Sequence, residues 1–162
     1  MGPWLSKFFG KRGLNDLANE LEGAVRDSKL SAMKLRIAEN VLRESRKGSV
    51  DKLLIQTAFT GFPLSSDVMA NMYINSAISS ARKALRKVKF VRDVLERDYP
   101  HVYAGVLRGF MEPAIRALEE VALLGKVSVS GLSVKAEEAD DAASMLSEAA
   151  ELLRNAAKLH GE

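Results

Sequence analysis

The sequence predicts an all-α protein, and three observations carry that expectation. Apolar residues make up 47% of the 162-residue chain, drawn largely from Ala, Leu, Val and Met, while Gly and Pro number only 11 and 4. Such a composition favours helix. Apolar positions recur at steps of three and four over long stretches, which is the helical period, and the turn-forming residues are gathered into a few short breaks between them.

The elements are taken in chain order. Residues 1–13 read as an amphipathic N-terminal membrane segment. On a helical wheel Trp4, Leu5, Phe8 and Phe9 share one side, with Lys7 and Lys11 on the other and Arg12 at the edge. Bulky aromatics suit the headgroup region and cations suit anionic lipid, although the same side chains would also serve as a staple onto the protein's own core. Residues 14–124 read as the helical core. Leu14, Leu17, Leu21, Leu30, Met33, Ile37 and Val41 step by helical intervals, Gly48-Ser49 weakens the helix, and VDKLLIQTAF resumes it. TGFPLSS is a turn in which Ser65 or Ser66 caps the next helix. From about 66 to 97, Ile74, Ile78, Ala81, Leu85, Val88, Val91 and Leu95 keep one apolar seam over roughly 30 Å at 1.5 Å per residue. DYPHV stops this helix, because the residue before Pro100 is pushed out of helical torsions. A helix from about 101 to 124 is expected to be interrupted at Glu112-Pro113, where proline lacks the amide for the ladder and either kinks the helix or starts a new one. GKVSVSGLSVK, residues 125–135, reads as a linker whose V-S-V alternation also fits a short strand, and 136–162 as an acidic C-terminal helix.

Charge is unevenly spread. Residues 1–97 carry 18 Lys and Arg against 10 Asp and Glu, whereas residues 98–162 carry 6 against 11. On the helix at 66–97, Arg82, Lys83, Arg86, Lys87, Lys89 and Arg97 fall opposite the apolar seam, with Arg92 at the margin and Phe90 and Val94 pointing into the basic side. So strong a sign bias suits a face that meets phosphates, lipid headgroups or an acidic partner; a merely solvated face is the alternative. The acidic end, with Glu137, Glu138, Asp140 and Asp141, could fold back and compete for that face.

Several classes are disfavoured. Without cysteine there is no disulfide framework, thiolate nucleophile or Cys-ligated metal. No apolar run approaches the roughly 18 residues that span a bilayer, and no secretory signal is evident, so a cytoplasmic, peripheral-membrane location is expected. MGPWLS fits an acylation pattern only formally, since Pro3 makes the site poor. His101 and His160 have no neighbours that complete a triad or a ligand set. The paired carboxylates near 137–141 project around a helix, where acid at the N-terminal turn has its own electrostatic reason. No phosphate loop, G-x-S-x-G or H-E-x-x-H occurs. The expectation is a non-enzyme with no cofactor, no metal and no small-molecule substrate.

These stretches resemble the ESCRT-III family, specifically the archaeal CdvB-like cell-division proteins. FFGKR is similar to the aromatic and basic start common in that family. KLRIAENVLRESRKGSVDKLLIQTAF followed by MANMYINSAISSARKALRKVKFVRDVLER resembles its long helical hairpin, including Met72-Tyr73-Ile74-Asn75. Residues from Pro113 to Leu124, then a small-residue linker and an acidic helix, resemble the family's smaller helices. The resemblance implies a long antiparallel hairpin with smaller packed helices, and a scaffold that binds anionic membranes and self-associates into filaments with other ESCRT-III-like subunits to constrict or cut membranes in cell division. It also implies a closed form in which Glu137, Glu138, Asp140 and Asp141 cover the basic hairpin. The stretch ELLRNAAKLHGE departs from the family's Leu/Arg motif for docking an AAA ATPase, so that partner would need a tail this stretch does not match. Two other readings stay open: a helical nucleic-acid-binding protein using the same basic face, and a helical coat or effector-complex subunit.

Overall fold

The structure is a computed structural model that describes residues 12–46, 65–125 and 129–162. Trp4, Leu5, Lys7, Phe8, Phe9 and Lys11, the break expected at Gly48-Ser49 and the helix expected after it lie outside the described residues. Those described are all-helical. Helix α1 spans Leu14–Arg46 and α2 spans Ser66–Asp98. A short turn at Pro100–Val102 and a wide turn at Tyr103–Leu107 lead into α3, Arg108–Ala122. Helix α4 runs Val129–Leu159.

Helix ends obey local chemistry. At the start of α2, Ser65 Oγ accepts from the Val68 amide at 3.2 Å, which satisfies one of the otherwise orphaned amides. Its last residue is Asp98, as the D-Y-P sequence predicts, and Tyr99 N–H closes the final turn on Leu95 O at 2.8 Å. Pro113, by contrast, does not break its helix. It lies inside α3, and the chain leaves helical torsions upstream at Gly105, where Arg108 N–H reaches back five residues to Tyr103 O. Tyr103 Oη donates to Glu112 Oε1 at 2.5 Å across this wide turn. The distortion therefore sits at the widened turn, and Glu112, expected to mark the break, instead ties that turn to the helix after it.

Antiparallel neighbours can be read from the contacts. Lys87 meets Asp27 and Ser31 meets Ala77 between α1 and α2. Arg36 meets Asp140 and Arg154 meets Glu22 between α1 and α4, Lys89 meets Glu119 between α2 and α3, and Lys135 meets Glu120 between α3 and α4. Each helix thus packs on two others in a four-cornered bundle, with α1 between α2 and α4 and α3 across from it.

One apolar core joins all four helices. In α1 the buried stripe is Leu14, Leu17, Leu21, Ala24, Ser28, Ser31, Leu35 and Ala38, stepping alternately by three and four. This corrects the expected seam: Leu30 and Met33 face outward, 38% and 50% exposed, and two serines take their places inside. The serines are small enough for α2 to pack close, and Ser31 Oγ donates to Ala77 O at 2.8 Å. In α2 the stripe is centred on Ala70, Ala77, Ala84 and Val91, so Val94 is buried instead of lying on the basic side, and Ile74, Ile78 and Leu85 are only half-buried.

The last helix also differs from expectation. It begins at Val129, inside the stretch read as linker, and presents Leu132, Leu146 and Leu153, all fully buried, between α1 and α3. A helix carrying that much of the core is a wall of the bundle, comparable in length with α1.

Candidate basic surface on the second helix

The basic side of α2 divides once its neighbours are in place. Lys87 turns toward α1 and its Nζ lies 2.7 Å from Asp27 Oδ2. Gly23 makes room for this: a Cβ there would stand 3.2 Å from Lys87 Nζ, so the lysine crosses α1 where that helix has no side chain. On the other flank Lys89 pairs with Glu119 of α3 at 3.3 Å, and Arg92 reaches Asp93 and Glu112. Arg97 lies against its neighbour Asp98 at 3.1 Å, and the hydrogen bond to that carboxylate holds the guanidinium pKa above its ordinary value. Arg82, Lys83 and Arg86 are left on the outer side, exposed and, among the described residues, without an ion pair.

The flanking pairs are half-exposed and each worth little, on the order of 0–1 kcal/mol. Their effect on the surface is to cancel charge at the edges of α2 and concentrate the uncompensated charge at its crest. On α1, Arg26 and Lys29 are also exposed and without an ion pair among the described residues, but Lys29 stands one heptad from both Glu22 and Arg36, which pair with α4, and so lies on the flank turned away from α2. Leu30 and Met33 of α1 and Phe90 of α2 are exposed apolar side chains. Sequence reasoning missed which cations of α2 are paired, because only the interhelical packing brings Asp27 beside Lys87 and Glu119 beside Lys89. Arg12 belongs to this side too, its guanidinium lying 5.1 Å above the Phe90 ring, within cation–π range.

The acidic residues expected to cover this surface lie elsewhere. Asp140 pairs with Arg36 of α1 at 2.5 Å, Glu138 lies 3.2 Å from Lys135 of its own helix, and Glu137 and Asp141 are exposed. All four are on α4, which packs on α1 and α3 and stands across the core from α2. They do not meet Arg82, Lys83 or Arg86, because the apolar face of α4 fixes its corner of the bundle whatever its charge.

Elsewhere the chemistry is structural. Burial and the Glu112 hydrogen bond hold the Tyr103 phenol well above its ordinary pKa. Burial, with Glu162 and Asp98 nearby, raises Tyr99 as well. His101 is exposed and His160 stands edge-on to Tyr99, ring centroids 6.4 Å apart. Among the described residues no group of three or more acidic or imidazole side chains is arranged to hold a metal ion, and no helix is long and apolar enough to cross a membrane.

Among the described residues, fold and surface together define an all-α protein with a localised basic face whose central cations have no ion pair. No protein-family model matches the chain, and no curated protein or solved structure matches it.

Proposed function

We propose that the protein is a membrane-remodelling scaffold of the ESCRT-III kind, which lies peripherally on anionic membranes and assembles into filaments that constrict or cut them. The observation that carries the membrane part is the trio Arg82, Lys83 and Arg86, without an ion pair among the described residues, on a helix whose other cations toward α1 and α3 are matched by carboxylates. A cation near an anionic bilayer contributes about 1 kcal/mol, so three contribute about 3 kcal/mol, or roughly 150-fold in affinity. The amphipathic segment 1–13 supplies the apolar component that electrostatic attraction alone lacks. Filament assembly rests on the family resemblance of the two hairpin stretches, residues 34–59 and 69–97. The closed form implied by that resemblance is not part of the proposal, since α4 occupies a corner of the core.

The test is co-sedimentation with phosphatidylserine vesicles. Replacing Arg82, Lys83 and Arg86 with Glu should abolish binding while the circular dichroism stays unchanged, because all three side chains are exposed. Undiminished binding by the folded triple variant overturns the role of this face. The same variant losing affinity for nucleic acid, in a protein that never pellets with vesicles, would assign the face to phosphates of a different polymer.

A further inference from the structure

An apolar cleft of about 250 Å³ opens at the end of the bundle where α1 begins. Val102, Val106 and Leu107 of the wide turn form one wall, and Leu152, Ala156 and Leu159 of α4 form the other, with His160 at its rim. Its edges are unusually apolar for a surface, with Val106 67% and Leu159 89% exposed. Apolar side chains gathered around one cleft, unlike ones scattered singly, offer a surface that another apolar group can cover.

Arg12, the first described residue, lies beside it. Tyr99 Oη donates to Arg12 O at 2.8 Å, which anchors the chain at this point, and His160, on the rim of the cleft, stands edge-on to the same Tyr99 ring. Phe8 and Phe9 lie within four residues of Arg12, a span of up to about 13 Å when extended, and Trp4 and Leu5 share their side of a helical wheel. Tethering at this distance gives the segment an effective concentration in the millimolar range, without any partner.

We propose that this cleft is the intramolecular seat of the apolar side of residues 4–9, so that Trp4, Leu5, Phe8 and Phe9 are stored against Val106 and Leu159 when no membrane is present. The inference builds on the reading of segment 1–13 as a membrane anchor but concerns the protein in solution. Storage makes insertion an exchange of one apolar partner for another. Apparent vesicle affinity is then reduced by the fraction of molecules in which the segment is docked.

Trp4 is the sole tryptophan, so its emission reports the docking without a label. In lipid-free protein at submicromolar concentration the emission should be blue-shifted and resistant to acrylamide. Val106→Glu with Leu159→Glu, two exposed positions, should move it to the wavelength of a free indole with helicity unchanged. Because the chain has no cysteine, a second measurement is free of background. Phe8→Cys with Val106→Cys should join through a short bis-maleimide within one molecule, whereas Phe8→Cys with Met33→Cys should not. Wild-type emission already at the free-indole position, emission unmoved by the charged cleft variant, or a blue shift that appears only as concentration rises would each overturn intramolecular docking. Vesicle binding is measured separately. If Trp4 proves docked and the protein never pellets with anionic vesicles, storage stands and the membrane reading falls.

Discussion

Replacing Leu153 with Ala tests whether α4 is a wall of the bundle or a detachable cover. Leu153 is fully buried, and its neighbours on the same stripe of α4 are Ala149, Ala150 and Ala157, also at or near zero exposure. Leucine-to-alanine changes in cores cost about 2–5 kcal/mol, and the cost grows with the volume that fails to collapse. Alanines are too short to swing into the gap, so the expected loss is in the upper part of that range, about 3–5 kcal/mol. That is a large share of the total stability of an ordinary domain, about 5–15 kcal/mol, and corresponds to a fall in Tm of roughly 6–20 °C for a chain of this size. Urea unfolding monitored by circular dichroism should show a lower midpoint at unchanged slope. Leu123→Ala, at a position 82% exposed, is the control and should change stability by no more than about 0.5 kcal/mol. If Leu153→Ala cost less than about 1 kcal/mol, α4 would be held too loosely to be core, and the packing argument against a displaceable acidic lid would fail.

Two further outcomes are expected. The Tyr103 phenol has its pKa raised by burial and by Glu112, so its contribution to stability is fully present below the ordinary tyrosine value near 10 and is lost as pH rises toward the folded-state value; Tyr103→Phe should remove a late-ionising phenol from an absorbance titration and flatten the loss of stability at alkaline pH. Ser65→Ala leaves the Val68 amide without its side-chain acceptor and should cost about 1 kcal/mol in chemical denaturation, whereas Ser65→Asp should retain the stability.

The features legible in the sequence were local. The stop at Asp98 comes from Pro100 acting on the residue before it, and the cap at Ser65 from a hydroxyl within reach of an amide three residues on. Phase was harder to read. In α1 the larger side chains Leu30, Met33 and Ile37 suggested the seam, but Ser28 and Ser31 occupy the buried positions, because the alternation of three and four that begins at Leu14 and Leu17 passes through them. Bulk misled where spacing did not. Similarly, Pro113 signalled a break, yet a proline constrains only its own turn, and the chain deforms instead at Gly105.

By itself the sequence determined that the described stretches are helices, that each has an apolar side, and that α2 carries an excess of cations. Periodicity and composition suffice for these, since both act within a few residues along the chain. Only the tertiary structure decided which of those cations are paired. Lys87 is matched by Asp27 sixty positions earlier and Lys89 by Glu119 from another helix, whereas Arg82, Lys83 and Arg86 have no ion pair among the described residues. It likewise placed the carboxylates of α4 on the far side of the core, although composition alone suggested that acid would seek base. The physical reason is one of magnitude: burying the leucines and alanines of α4 contributes several kcal/mol, whereas exposed ion pairs contribute on the order of 0–1 kcal/mol each, so apolar packing chooses the corner and the charges pair with whatever packing brings beside them.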